Sequence, residues 1–273
     1  MINFYKTCIA IYEDYRSKIP SYATAALSYY LLLILVPAFS LVAIGLSFFH
    51  IDMGIIKELI QHILVPEYSE MLIDILTSRS FNTVALVTIV LSFYAVSRGV
   101  GNIYEISKNM YHQEKEEGIV GYYLYTFKIT FFLLILFIGI IAVLGIGPMS
   151  YLFQIFYSLF GIRHIILYFL MTFCLMCIYL IVPRIRVRYI DAFQGAMVAS
   201  ALMLILYYGL QIYFRFAQFQ TVYGPLAFIV MILFVFDLIA EVFYIGMYIT
   251  NILYVRRKKD ERKEKVGKTY RKG

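Results

Sequence analysis

Residues 225–251 read PLAFIVMILFVFDLIAEVFYIGMYITN, a run in which only Asp237 and Glu241 carry charge. As a helix rising about 1.5 Å per residue it is longer than a hydrocarbon core of about 30 Å. In lipid the backbone groups must be satisfied within the segment, so a run this apolar reads as a membrane-crossing helix. Five further runs have the same character. Ala23–Phe49 is free of Asp, Glu, Lys and Arg and contains Pro37 as its expected kink, and Phe81–Ser97 is bracketed by Arg79 and Arg98. The long uncharged stretch from Ile129 is broken at Gly145, Gly147 and Pro148, so Ile129–Ile146 spans and Ser150–Phe160 is expected at the far interface. Ile165–Val182 and Ala192–Phe214 complete the set.

The composition agrees. The chain is 62% hydrophobic and 15% charged, whereas a soluble domain carries about 25% charge. The expected fold is therefore all-α: a polytopic integral membrane protein with six transmembrane helices plus interfacial amphipathic helices. Residues 1–22 form a cytoplasmic interfacial helix, with Phe4, Tyr5, Cys8, Ile9, Tyr12 and Tyr15 at helical spacing and Pro20 as its stop. Residues 23–255 are the six-helix transmembrane domain. Its outer loop 50–80 is amphipathic, with Ile55, Ile56, Leu59, Ile60 and Ile63 before Pro66 and Met71, Leu72, Ile75 and Leu76 after it. Residues 256–273 are a polybasic tail. No cleavable signal peptide is expected, because the first long apolar run is not closed by a small-residue cleavage pattern.

Lysine and arginine counts set the orientation, since cytoplasmic connections are enriched in them. With the N-terminus inside, the inner segments hold Lys6, Arg16 and Lys18, then Arg98, Lys108, Lys115 and Lys128, then Arg184, Arg186 and Arg188, and finally the tail. The outer ones hold only Lys57, Arg79, Arg163 and Arg215. Both termini are thus expected in the cytoplasm. The net charge of +7 belongs to the tail, where Arg256, Arg257, Lys258 and Lys259 begin a basic run suited to the anionic lipid of the inner leaflet. Without a folded reader or interleaved aromatics, nucleic acid is not an expected partner. Protein partners cannot be named from the sequence, and self-association into a homo-oligomer is left open.

Asp237 and Glu241, four residues apart, share a helix face that Tyr244 and Tyr248 continue. A charge near mid-membrane costs about 2.5–3.5 kcal/mol on insertion scales, so the pair is expected to face the bundle interior or a wet cavity. One reading is a proton or cation relay or a polar headgroup site. The other is a structural pair bridged to a base such as Arg98. Arg98, and Arg215 with Gln211, could serve as headgroup ligands or counter-ions. More often such residues anchor helix ends at the headgroup level.

Enzyme signatures are missing. His50, His62, His112 and His164 are scattered, with no HExxH, GxSxG or GxxxxGK[ST] pattern. Cys174 and Cys177 lie within an apolar helix and read as packing. No metal, cofactor or catalytic residue is expected.

Several blocks resemble the YihY/virulence factor BrkB family of bacterial inner-membrane proteins, once labelled ribonuclease BN. They are ATAALSYYLLLILVP at 23–37, Ser97-Arg98-Gly99 with Asn109-Met110-Tyr111, Arg188 with Gly195-Ala196 and Ala199, and Tyr223-Gly224 with Gly246. The resemblance implies six helices and the bacterial plasma membrane. The family's tryptophan early in the sixth span and its glutamate two residues after the glycine are replaced here by Val235 and Tyr248, so no role is carried over to those positions. The expected function is transport or translocation of a lipid or a small polar or anionic solute. The alternative is a non-transporting envelope assembly or scaffold protein. A membrane ribonuclease is disfavoured, since no cluster here would position a metal or an acid and base on RNA.

Overall fold

A computed structural model describes residues 2–33, 83–112, 118–145, 162–216 and 224–270. The expected Pro37 kink, the amphipathic outer loop and the far-interface segment 150–160 lie outside the described residues, as do the side chains of Cys8, His164 and Arg215. Every described element is a helix. They are α1 (Ile2–Lys18), α2 (residues 21–33), α3 (Thr83–Met110), α4 (Ile119–Gly145), α5 (Ile162–Ile181), α6 (Tyr189–Phe216) and α7 (Gly224–Tyr270).

Local chemistry sets several of these limits. α1 closes with Ile19 N–H on the Tyr15 carbonyl at 2.9 Å, and the Pro20 carbonyl then accepts from Ala23 N–H at 2.9 Å to open α2. The proline disfavours helical geometry in Ile19, which makes the break between α1 and α2 sharp. At the end of α3, His112 adopts a φ of 48°, the left-handed conformation common after a helix C-terminus and tolerated by histidine better than by most residues. α7 passes the end of its apolar run at Asn251 without a break and carries the basic tail as helix to Tyr270.

α6 packs antiparallel on α7, α5 packs on α6, α4 packs on α3, and α1 touches α3. The α6–α7 crossing is built from small residues. A Cβ on Gly195 would stand 2.6 Å from the Gly246 carbonyl, and one on Gly246 would stand 2.5 Å from the Ala199 Cβ. Close approach of backbones through glycine and alanine is how helices associate where lipid removes the hydrophobic drive between them. One buried cluster joins Tyr15, Ile19, Ala23 and Leu27 to Ile106, Met110, Tyr179, Ala196 and the 240–248 segment of α7. A second holds Val100, Tyr104, Ile129 and Val182.

The outer surface is apolar. Phe131, Ile135, Phe169, Ile205, Ile212, Val230 and Phe234 are all more than half exposed. Facing water this would be a large aggregation surface, and facing lipid it is solvated. By length and composition, Tyr189–Tyr213 and Val230–Glu264 suffice to cross a membrane, and Ile119–Leu133 and Tyr168–Ile181 are shorter apolar segments.

Candidate functional site

One of the two intramembrane acids of α7, Glu241, is met by α1. Glu241 Oε1 accepts from the Tyr15 hydroxyl at 3.0 Å and lies 3.3 Å from Arg16 Nη2. Arg16 also donates from Nε to the Tyr12 hydroxyl at 3.2 Å, and its guanidinium lies 5.5 Å from the ring centroids of both Tyr12 and Tyr15. Two turns further along α7, Tyr248 donates to Asp14 Oδ2 at 2.6 Å, and the same oxygen takes Lys18 Nζ at 2.9 Å. The Tyr15 and Tyr248 rings meet edge to face at 5.3 Å. The end of α1 is thus clasped to α7 by two carboxylates, one from each helix.

These contacts perturb the α1 groups. The Tyr248 hydroxyl and then Lys18 hold the Asp14 carboxyl below its ordinary range, against a smaller burial effect. Burial and then the neighbouring Glu241 push the Tyr15 hydroxyl up, so it stays a donor.

Asp237 is half-buried and has no hydrogen bond or ion pair among the described residues, one turn further into the apolar run than Glu241. Tyr244 is fully buried. Its hydroxyl accepts from Asn102 Nδ2 at 3.1 Å, and the same amide donates to the Ala23 carbonyl at 3.2 Å. Tyr179 donates to the Phe243 carbonyl at 2.7 Å, and Tyr125 donates to the Ile181 carbonyl at 3.3 Å.

Together these bonds register the helices against one another. Ala23, Asn102, Tyr125, Ile181 and Phe243–Tyr244 form one layer, and on α2 and α5 that layer falls where the uncharged run starts or stops. The sequence places Glu241 well inside its 27-residue run. The register places it one helical turn, about 5 Å, from the layer that closes the apolar runs of its neighbours. The run on α7 continues to Asn251 because protein, not lipid, covers it there. Met247, Thr250 and Asn251 have no exposed surface and Tyr248 retains 5%.

The expected counter-ions are distributed differently. Arg98 does not pair with Glu241; it lies near Tyr30, Tyr94 and Tyr123. Arg16 takes the place proposed for it, because α1 folds back along α7. Gln211 donates to the Tyr207 hydroxyl at 2.7 Å on an exposed face. In the tail, Arg257 turns inward to Asp191 at 2.9 Å, and Lys258 lies 4.8 Å from the Tyr254 ring centroid. Arg256 and Lys259 are exposed. The sequence reading assigned no site role to Asp14, Tyr15, Arg16, Lys18 or Asn102, although Tyr15, Arg16 and Lys18 counted toward the interfacial helix and the inner charge. The available signal was a tyrosine-and-charge face on α1 at positions 12, 15, 16 and 18, richer than an interfacial helix needs.

An all-helical bundle with an apolar exterior, small-residue helix crossings and a charged clasp at one end defines a helical membrane protein. The chain belongs to the virulence factor BrkB family, whose profile matches residues 11–270. It is similar to a protein of Aeromonas salmonicida (strain A449) described as UPF0761 membrane protein, with 30% identity over 222 residues, which are 74% of this chain and 72% of that protein. No solved structure matches it.

Proposed function

We propose that the chain is a six-span protein of the bacterial plasma membrane, both termini cytoplasmic, that moves a lipid or a small polar or anionic solute past the Asp237–Glu241 face of α7. Six spans and this orientation are supported by the six uncharged runs and by the lysine and arginine count of their connections. The observation that carries the transport reading is Asp237. A half-buried carboxylate within an apolar helix, with no partner among the described residues, is costly unless it meets water, a ligand or a polar group of another segment. Glu241, one turn nearer the clasp, would then mark the inner mouth. The activity needs no catalytic residue and no cofactor.

Reconstituted vesicles carrying labelled phospholipid test the proposal. The double variant Asp237→Asn, Glu241→Gln is expected to lose most lipid flipping or proton flux, and unchanged flux would remove the site. A second reading, a non-transporting envelope scaffold, draws on the Arg16–Glu241 pair, which gives Glu241 a structural role. Crosslinking that returns a stoichiometric partner, from a protein inert in vesicles, would favour it.

A further inference from the structure

We infer that the side of α7 turned away from α6, with the exposed strip it shares with α1, is a docking surface for an acidic amphipathic helix of a soluble cytoplasmic protein. This rests on the reading that the basic end of the bundle faces the cytoplasm, and it does not require that anything be transported. α7 runs without a break from Gly224 to Tyr270, so its basic tail leaves the membrane as a rod along the helix axis. Tyr244 lies in the layer that closes the apolar runs of α2 and α5. At about 1.5 Å per residue, Arg256 is about 18 Å further out and Lys263 about 28 Å. The headgroup region adds only about 5–7 Å to each side of the hydrocarbon, and salt screens charges beyond about 8 Å. The tail is carried clear of the anionic lipid that its sequence suits.

The helix sorts its charges by face. Ile252, Arg256, Lys259 and Lys263 recur at i, i+4, i+7 and i+11, which sets them in one stripe, and all four are exposed. Asp260, Glu261 and Glu264 fall on the other side, around Arg257, which is turned to Asp191 of α6 at 2.9 Å. The stripe begins beside α1. Ile252 borders a shallow recess with Lys6, Ala10 and Ile11 of α1, and Asp14 stands at its far end, held by Tyr248 and Lys18. Ile11 is 53% exposed and Ile252 38%, and this far from the layer they meet water rather than lipid. An exposed apolar strip rimmed by charge of one sign marks a protein contact. Apolar side chains of the docked helix cover Ala10, Ile11 and Ile252, and its carboxylates meet Lys6, Arg256, Lys259 and Lys263. Nucleic acid fits less well, because the stripe offers no aromatic ring to stack on a base.

The test places the full-length protein in phosphatidylcholine nanodiscs. The probe is a fluorescein-labelled helical peptide of about five turns, leucine along one face and glutamate on the other, followed by anisotropy. Saturable binding is expected. Arg256→Ala with Lys259→Ala should weaken it roughly tenfold, and Ile252→Ser should weaken it too. Arg186→Ala with Arg188→Ala, which removes the same charge from an inner loop, should leave it unchanged. Nanodiscs containing phosphatidylglycerol should bind the peptide equally well. Loss of binding there overturns the proposal, since the tail then lies on the leaflet. Equal binding of a scrambled peptide of the same composition, or equal loss in both charge-deleted forms, also overturns it, since the tail then acts as a diffuse charge. Single-stranded RNA that displaces the peptide at lower concentration would replace the proposal with nucleic acid binding. Circular dichroism showing unchanged helix content accompanies each variant. Both faces of a nanodisc are open, so binding is read whatever the orientation, and the Asp237 and Glu241 flux assay is a separate readout. The docking surface and the transport reading therefore fail independently.

Discussion

Asp14 is the residue whose chemistry is easiest to test, because two donors on different helices converge on one of its oxygens. Its carboxyl is held below the ordinary range in the folded chain, so the stabilisation it provides is complete above the unfolded carboxylate value and is lost as pH falls through the folded one. The clasp should therefore be insensitive to pH from about 5 to 8 and weaken below about pH 4. In Asp14→Asn it should be weaker throughout and show no acid step of its own. A spin-label distance between α1 and α7, followed from pH 7 to pH 3, checks both. The effect is modest, since the Asp14 side chain is 49% exposed. The Arg16–Glu241 pair is of another kind. An exposed pair in water is worth about 0–1 kcal/mol, but a carboxylate beside lipid that loses Arg16 keeps the Tyr15 hydroxyl and no described cation.

At the scale of elements, the α6–α7 crossing sets what the bundle tolerates. Any Cβ at Gly246 meets Ala199, the Gly195 carbonyl and the Tyr179 hydroxyl. Two of these belong to α6 and cannot swing aside as a flexible side chain would. Gly246→Ala is expected to cost about 1–3 kcal/mol from forced separation of the helices, read as a lower unfolding midpoint in detergent. Gly209→Ala is the contrast. Nothing lies within 4 Å of a Cβ there, so the change should be neutral or should stabilise α6 by up to about 1 kcal/mol. If the two variants behaved alike, the close crossing would be absent. α7 itself is one helix that meets two surroundings, with Val230 and Phe234 exposed on the apolar exterior and Phe243, Tyr244, Met247, Thr250 and Asn251 covered by neighbouring helices.

For the whole molecule, the charge distribution predicts topology. In a form with the native cysteines replaced, a single cysteine at Gly267 should react with an impermeant maleimide only after the cells are opened. One at Ser69 should react in intact cells. The reverse pattern would invert the orientation, and labelling of both in intact cells would require an odd number of spans.

The helical character of the chain was legible in its sequence. The described residues of the expected apolar runs are helical, except the terminal Val182, and α3, α4 and α7 carry their helices on through charged juxtamembrane turns. The helix before Pro20 and the Asp237–Glu241 face were legible for the same reason: hydropathy, helix stops and four-residue spacing are local properties. The partner of Glu241 was not, because Arg16 and Glu241 are 225 positions apart and nothing local distinguishes Arg16 from Arg98 as a counter-ion. Nor was the level of Glu241 within the bundle. Hydropathy cannot tell a side chain buried by lipid from one buried by protein, and the last apolar turns of α7 are of the second kind. By itself the sequence determined that this is a helical membrane protein with a basic end. Only the packing of α1 back along α7 decided which charges meet, since ion pairing depends on distances across the fold that no spacing along the chain encodes.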